Sequence, residues 1–203
     1  MTTYTDPGQH VFWLASRALG VTALLLIALS VGLGLALSGR IVRVPGGPAR
    51  LKRLHEALSL SGLVTIVAHG ATLIGDAYLR PGLEGVLLPF AMTAQPFWTG
   101  VGILAGWLAA SITLSFYVRR HITTQVWRWL HRWTLAVYVM SVAHTLGSGS
   151  DAGAAWLQLI VAGTAAPILF AAAYRLLPAE PPRAAKQRRP ERAPGTVSPA
   201  EAP

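Results

Sequence analysis

Residues 54–75 read LHEALSLSGLVTIVAHGATLIG. Glu56 at the start of the stretch is its one acidic or strongly basic side chain; two histidines, His55 and His69, stand fourteen apart in it. A run of this length and apolarity suits a helix crossing a bilayer, where about 20 residues cover ~30 Å of hydrocarbon. An imidazole placed there is costly unless a partner satisfies it. What the two histidines bind therefore decides what the bundle is for.

Comparable apolar runs recur along the 203 residues, of which 53% are hydrophobic and 12% charged. That balance points to an integral membrane protein. Five spans can be drawn, at 11–37, 54–75, 97–118, 128–147 and 154–177. The first lacks a basic segment before it and is longer than a signal-peptide core, so it is expected to be a retained helix. The reading is an all-α membrane bundle of five transmembrane helices over residues 1–177. A Pro-, Ala- and Arg-rich tail over 178–203 is expected to be disordered, because it has no apolar period.

The formal charge of +9 is not spread as a nucleic-acid-binding protein would spread it. Fifteen of the seventeen Lys and Arg fall in three clusters, at 40–53, 119–132 and 175–192. These flank the spans on alternate sides, the positive-inside pattern, and predict an N-out, C-in, multi-pass protein of the cell membrane in contact with lipid. Trp127, Trp129 and Trp133 suit an aromatic belt at the inner interface. The loop 76–96 is long and fairly apolar, and Pro81, Pro89 and Pro96 argue against one continuous helix there. It is expected to lie as an interfacial or partly re-entrant segment. Pro167 is expected to kink the fifth span, and Ser150 or Asp151 to cap its start.

Of six histidines, His10 and His121 lie in flanking segments. The other four form two pairs: His55 and His69 on the second span, His131 and His144 on the fourth. These spans run the same way through the membrane. His55 and His131 therefore share the inner level, and His69 and His144 the outer, about 20 Å apart. Fourteen residues advance about 1400°, which brings His55 and His69 to within about 40° of one face. Thirteen residues leave His144 about 140° from His131 on an ideal helix, so either a local distortion between them or side chains reaching round from different faces is expected.

The chain has no cysteine, which excludes disulfides, iron–sulfur clusters, thiolate-ligated haem and Cys-based zinc sites. Two imidazoles per level do not complete a zinc site. A porphyrin needs only two axial ligands, and bis-imidazole ligation fills both, which suits electron transfer. The competing readings are histidines bonded to backbone or hydroxyl groups, and a proton relay, which would want carboxylates in mid-membrane. Met92 and Met140 suit packing better than ligation. Gly62, midway between His55 and His69, leaves room for flat cofactors above and below. Gly102 and Gly106 do the same or form a GxxxG helix contact. Arg53 and Arg132 are interface anchors or partners for cofactor carboxylates, whereas Arg17, inside an apolar span, is read as a cofactor-binding residue at the outer level.

His-x13-His on one helix and His-x12-His on the second helix after it resemble the haem-binding pattern of the ferric reductase-like transmembrane domain family. That family includes ferric reductases, NADPH oxidases and the haem-binding membrane subunit of a bacterial methionine sulfoxide reductase system. WLASRALGVTALLLIALSVGLG at 13–34 and AHTLGSGSDAG at 143–153 look like its short, stand-alone actinobacterial members. The resemblance implies two b-type haems, with iron held by His55 and His131 at the inner level and by His69 and His144 at the outer. It implies electron transfer from a cytoplasmic-side donor to an outer-side acceptor such as ferric iron, oxygen or a redox protein. Full-length relatives have six helices and continue into a flavin and nicotinamide domain. Here five helices are expected, and no dinucleotide fingerprint follows a strand. The donor is then expected to be a separate flavoprotein, a bound flavin or a quinone. Two other outcomes stay open: a membrane subunit feeding a separate outer oxidoreductase, and a haem-free helical scaffold or transporter.

Overall fold

The computed structural model describes residues 11–38 and 47–176. The disorder expected at 178–203 lies outside them, as does His10. The described residues form seven helices and no strand: α1 (Val11–Ser38), α2 (Gly47–Ile74), α3 (Gly82–Leu87), α4 (Pro96–Val118), α5 (Thr124–His131), α6 (Thr134–Ser148) and α7 (Ala155–Leu176). Helices are what hydrocarbon demands, because each closes its own backbone hydrogen bonds. Four of them, α1, α2, α4 and α7, are long and apolar enough to cross a membrane.

α1 is the hub of the bundle. It packs along α2 and also against α6 and α7. Leu24, Ala28 and Val31 of α1 meet Tyr138 of α6 and Ile168 of α7 in the buried core. The Tyr138 hydroxyl and Thr164 Oγ1, 2.8 Å apart, share a hydrogen bond that ties α6 to α7. Large apolar side chains such as Val64, Val67, Leu159 and Phe170 point outward. On a soluble surface that would be costly, whereas against lipid it is the expected arrangement.

The fourth expected span is not one helix. It is divided into α5 and α6 by a turn at Arg132 and Trp133. There the amides of Arg132 and Trp133 donate to the carbonyls of Trp129 and Leu130, both at 3.1 Å. These i→i−3 bonds wind the chain at about 120° per residue instead of about 100°. α5 is strongly amphipathic, with Thr123 Oγ1 accepting from the Val126 amide as its N-cap. α6 has 15 residues and so reaches about 22 Å, short of a full hydrocarbon core.

The segment 76–96 folds back over α2 and α4 around the short α3. Buried Asp76 accepts hydrogen bonds from the amides of Tyr78 and Leu79, at 2.9 and 2.7 Å. Trp107 Nε1 of α4 donates to the Leu87 carbonyl at 3.0 Å. α7 continues as one helix through Pro167. It begins at Ala155, and Asp151 does not cap it but turns its side chain to Arg17.

Candidate functional site

The four histidines of the apolar spans meet in the expected pairs. The ring centroids of His55 and His131 are 6.0 Å apart and their planes stand 80° to one another. Those of His69 and His144 are 6.2 Å apart at 76°. Two metal–imidazole bonds of about 2 Å, plus the half-rings behind them, come to about 6 Å. The turn at Arg132 and Trp133 lies between His131 and His144. Two residues wound about 20° further each close about 40° of the roughly 140° offset between them.

Three of the four rings are held by one repeated device. His69 Nδ1–H donates to the Ser16 carbonyl at 2.7 Å, and a side chain at Gly20 would place its Cβ 3.1 Å from that ring. His55 Nδ1–H donates to the Ser30 carbonyl at 3.0 Å, and a Cβ at Gly34 would come within 3.2 Å of it. His144 Nδ1–H donates to the Trp98 carbonyl at 2.9 Å, and a Cβ at Gly102 would collide with its ring. Each time the acceptor is residue i of a neighbouring helix and the glycine is i+4. In a helix that carbonyl points toward the residue one turn on, so glycine there uncovers the oxygen for a second donor.

Serines complete all three of these contacts, Ser148 Oγ donating to the His144 carbonyl at 2.7 Å. Ser16 Oγ donates back to the His69 carbonyl at 3.1 Å. Ser59 Oγ donates to the His55 carbonyl at 2.8 Å and lies 2.7 Å from Ser30 Oγ. With the proton fixed on Nδ1, each of these imidazoles presents a bare Nε2 lone pair, the form that binds a metal. His131 differs. Among the described residues its ring nitrogens have no hydrogen-bond partner, and its face stacks on Trp127 at 5.0 Å and 18°.

Each pair borders its own cavity. The one expected at the inner level, called the inner cavity, about 500 Å³, is lined by His55 and His131 together with Lys52, Glu56, Arg128, Arg132 and Arg175; the other is called the outer. The outer one, about 570 Å³, is lined by His69 and His144 together with Arg17, Gln95 and Asp151. These volumes are of the size that organic cofactors fill. Among the described residues no third histidine or carboxylate joins either pair to make a closed metal site.

The remaining candidates divide. Arg17 lines the outer cavity as expected, but it is ion-paired to Asp151 and its guanidinium lies 5.1 Å from the Trp13 ring centroid. Arg132 lines the inner cavity, whereas Arg53 is exposed. A Cβ on Gly62 would face Leu26 of α1 at an ordinary 3.6 Å, so its bareness serves the contact of α1 with α2 more than the cavity. Gly106 meets Ile66 at 3.5 Å and is a helix-packing glycine, whereas Gly102 seats His144. Met92 is buried beside Gly85 and also borders the outer cavity. His121 is exposed, accepting from Arg120 Nε at 2.9 Å.

Ser16, Gly20, Ser30, Gly34 and Trp98 are site residues that histidine spacing alone does not reveal. A signal was present: Ser-x3-Gly occurs twice in α1, at 16–20 and 30–34, offset by the same fourteen residues as His55 and His69. Set beside known proteins, the chain matches no protein-family model, no curated protein and no solved structure.

Proposed function

We propose that the chain is a membrane-embedded b-type cytochrome that carries electrons from an inner-side donor to an outer-side acceptor. In this reading His55 and His131 would hold an inner haem, and His69 and His144 an outer one. When bound, the haems supply a one-electron carrier at each of two depths. The observation that carries the proposal is the pairing itself: two imidazole couples about 6 Å apart, each on a cofactor-sized cavity.

The chain's own residues do three things in it. The carbonyls of Ser16, Ser30 and Trp98 fix the tautomer and aim of three ligand rings, so that little reorganisation accompanies a change of charge at the iron. Lys52, Arg128, Arg132 and Arg175 give the inner cavity a cationic rim suited to carboxylates. Two protein ligands per site leave no axial position for a small molecule, which favours electron transfer over oxygen binding.

The proposed topology is five crossings, N-out and C-in, with α5 and α6 together making the fourth. It rests on the alternation of basic clusters and on the parallel order of the two histidine helices. The donor in this reading is a separate flavoprotein or a quinone, and the acceptor ferric iron, oxygen or an outer redox protein.

Purified protein with adequate haem supply is expected to show a Soret band and a sharp reduced α-band, with two haems per chain and two steps in a redox titration. His69→Ala and His55→Ala should each remove about half of the haem. A protein free of haem, or one whose haem survives both substitutions, overturns the proposal.

A further inference from the structure

His131 is the exception among the four histidines. His55, His69 and His144 are each tied by Nδ1–H to a helix carbonyl exposed by a glycine. No such bond reaches His131 among the described residues, and the one contact that fixes its plane is the parallel indole of Trp127. Trp127 lies four residues earlier in α5, so its side chain covers the same helix face as His131. The two rings are joined by chain within one helix, whereas the other three histidines are gripped from a neighbouring helix.

A metal-bound imidazole can still rotate about its metal–nitrogen bond. For three of these rings the Nδ1–H bond to a fixed oxygen stops that rotation. For His131 an aromatic face at 5.0 Å stops it instead, because turning the ring out of parallel would drive its edge into the indole. Resting on the cytochrome reading above, we infer that Trp127 is the positioning residue of the inner site: its flat face, not its N–H, holds the plane of His131 nearly perpendicular to that of His55.

Trp127 Nε1 is buried and has no hydrogen-bond partner among the described residues. Trp127→Phe therefore keeps an aromatic face and breaks no protein hydrogen bond. Trp127→Leu keeps apolar bulk and removes the face.

The readout is the ferric low-spin electron paramagnetic resonance spectrum of the holoprotein, which reports the angle between the two axial ring planes. Near-perpendicular planes, 80° and 76° here, give a single feature at large g, whereas rings nearer to parallel give a rhombic pattern. His55→Ala identifies the inner signal by its loss. In Trp127→Leu the inner signal is expected to move toward the rhombic pattern or broaden, with two haems still bound and the outer signal unmoved. Trp127→Phe should retain the wild-type spectrum.

An unshifted inner signal in Trp127→Leu overturns the inference. So does a Trp127→Phe spectrum as altered as that of Trp127→Leu, since the N–H would then be what matters. Should Trp127→Leu lose haem altogether, Trp127→Met, flexible and without a flat face, decides by the same criterion. A wild-type protein without low-spin haem signals overturns the cytochrome reading itself, a result distinct from any of these.

Discussion

The glycines that face histidine rings matter for what they lack. Gly102 is the most constrained of them, because any Cβ there would overlap the His144 ring. Gly102→Val is therefore expected to push His144 off the Trp98 carbonyl and remove about half of the haem, the outer share. Gly106→Ala, one turn on and meeting Ile66 at 3.5 Å, should retain both haems and change stability by less than about 0.5 kcal/mol. Haem-to-protein ratios of the two variants check this, and equal losses would mean that the glycines act alike, as a packing stripe. Ser16→Ala belongs to the same scale. It leaves the backbone acceptor of His69 in place and removes the two Oγ contacts, to the His69 carbonyl and to Nδ1, both at 3.1 Å, so a cost of about 1 kcal/mol is expected with any bound haem retained.

Among the elements, the division of the fourth span into α5 and α6 has the largest effect on the site. Inserting one residue between Trp133 and Thr134 turns α6 by about 100° relative to α5 and shifts it by about 1.5 Å. His144 and His131 could then no longer both meet their partners on α2, and one of the two proposed haems should be lost. The same insertion next to exposed His121, before α5 begins, should spare both; retention of both haems in the first variant would show that the turn does not set the register. The four long helices and the histidine pairs were legible in the sequence because hydropathy and depth are one-dimensional quantities. Helix rotation is not one of them. The spacing of His131 and His144 left open a distortion or side chains reaching round from different faces, and the i→i−3 bonding at Arg132 and Trp133 could not be located in advance, since it depends on how α5 and α6 each find neighbours. The ion pair of Arg17 was hidden for a related reason: its partner Asp151 is remote in sequence and lies in a turn that invites reading as a helix cap. The carbonyl grip on the rings was half legible, as a Ser-x3-Gly pattern recurring at the histidine interval.

Across the whole molecule, Arg17 and Asp151 join the outer end of α1 to the turn between α6 and α7, over the outer cavity. With side chains 34% and 19% exposed, the pair is screened in part, so a coupling of about 0.5–1 kcal/mol is expected. A double-mutant cycle of Arg17→Ala and Asp151→Ala, read by thermal unfolding in detergent, measures it; strictly additive losses would leave Arg17 free to serve a bound carboxylate instead. The proposed direction of transfer has its own energetic scale, since one electron moved through the full depth exchanges about 2.3 kcal/mol with a potential of 100 mV. The two cavities are also neighbours: Ile27, Leu63 and Ile66 line both. These three apolar side chains offer hydronium nothing to hop along, whereas an electron needs no such chain of donors and acceptors. Vesicles carrying the protein should accordingly hold a pH gradient as long as empty ones do, and a leak that disappears with Leu63→Trp would locate a water thread through this septum. If the proposed haems are bound, the septum lets one kind of charge through and holds back the other, so that redox work done across it would not be dissipated as a short circuit of protons.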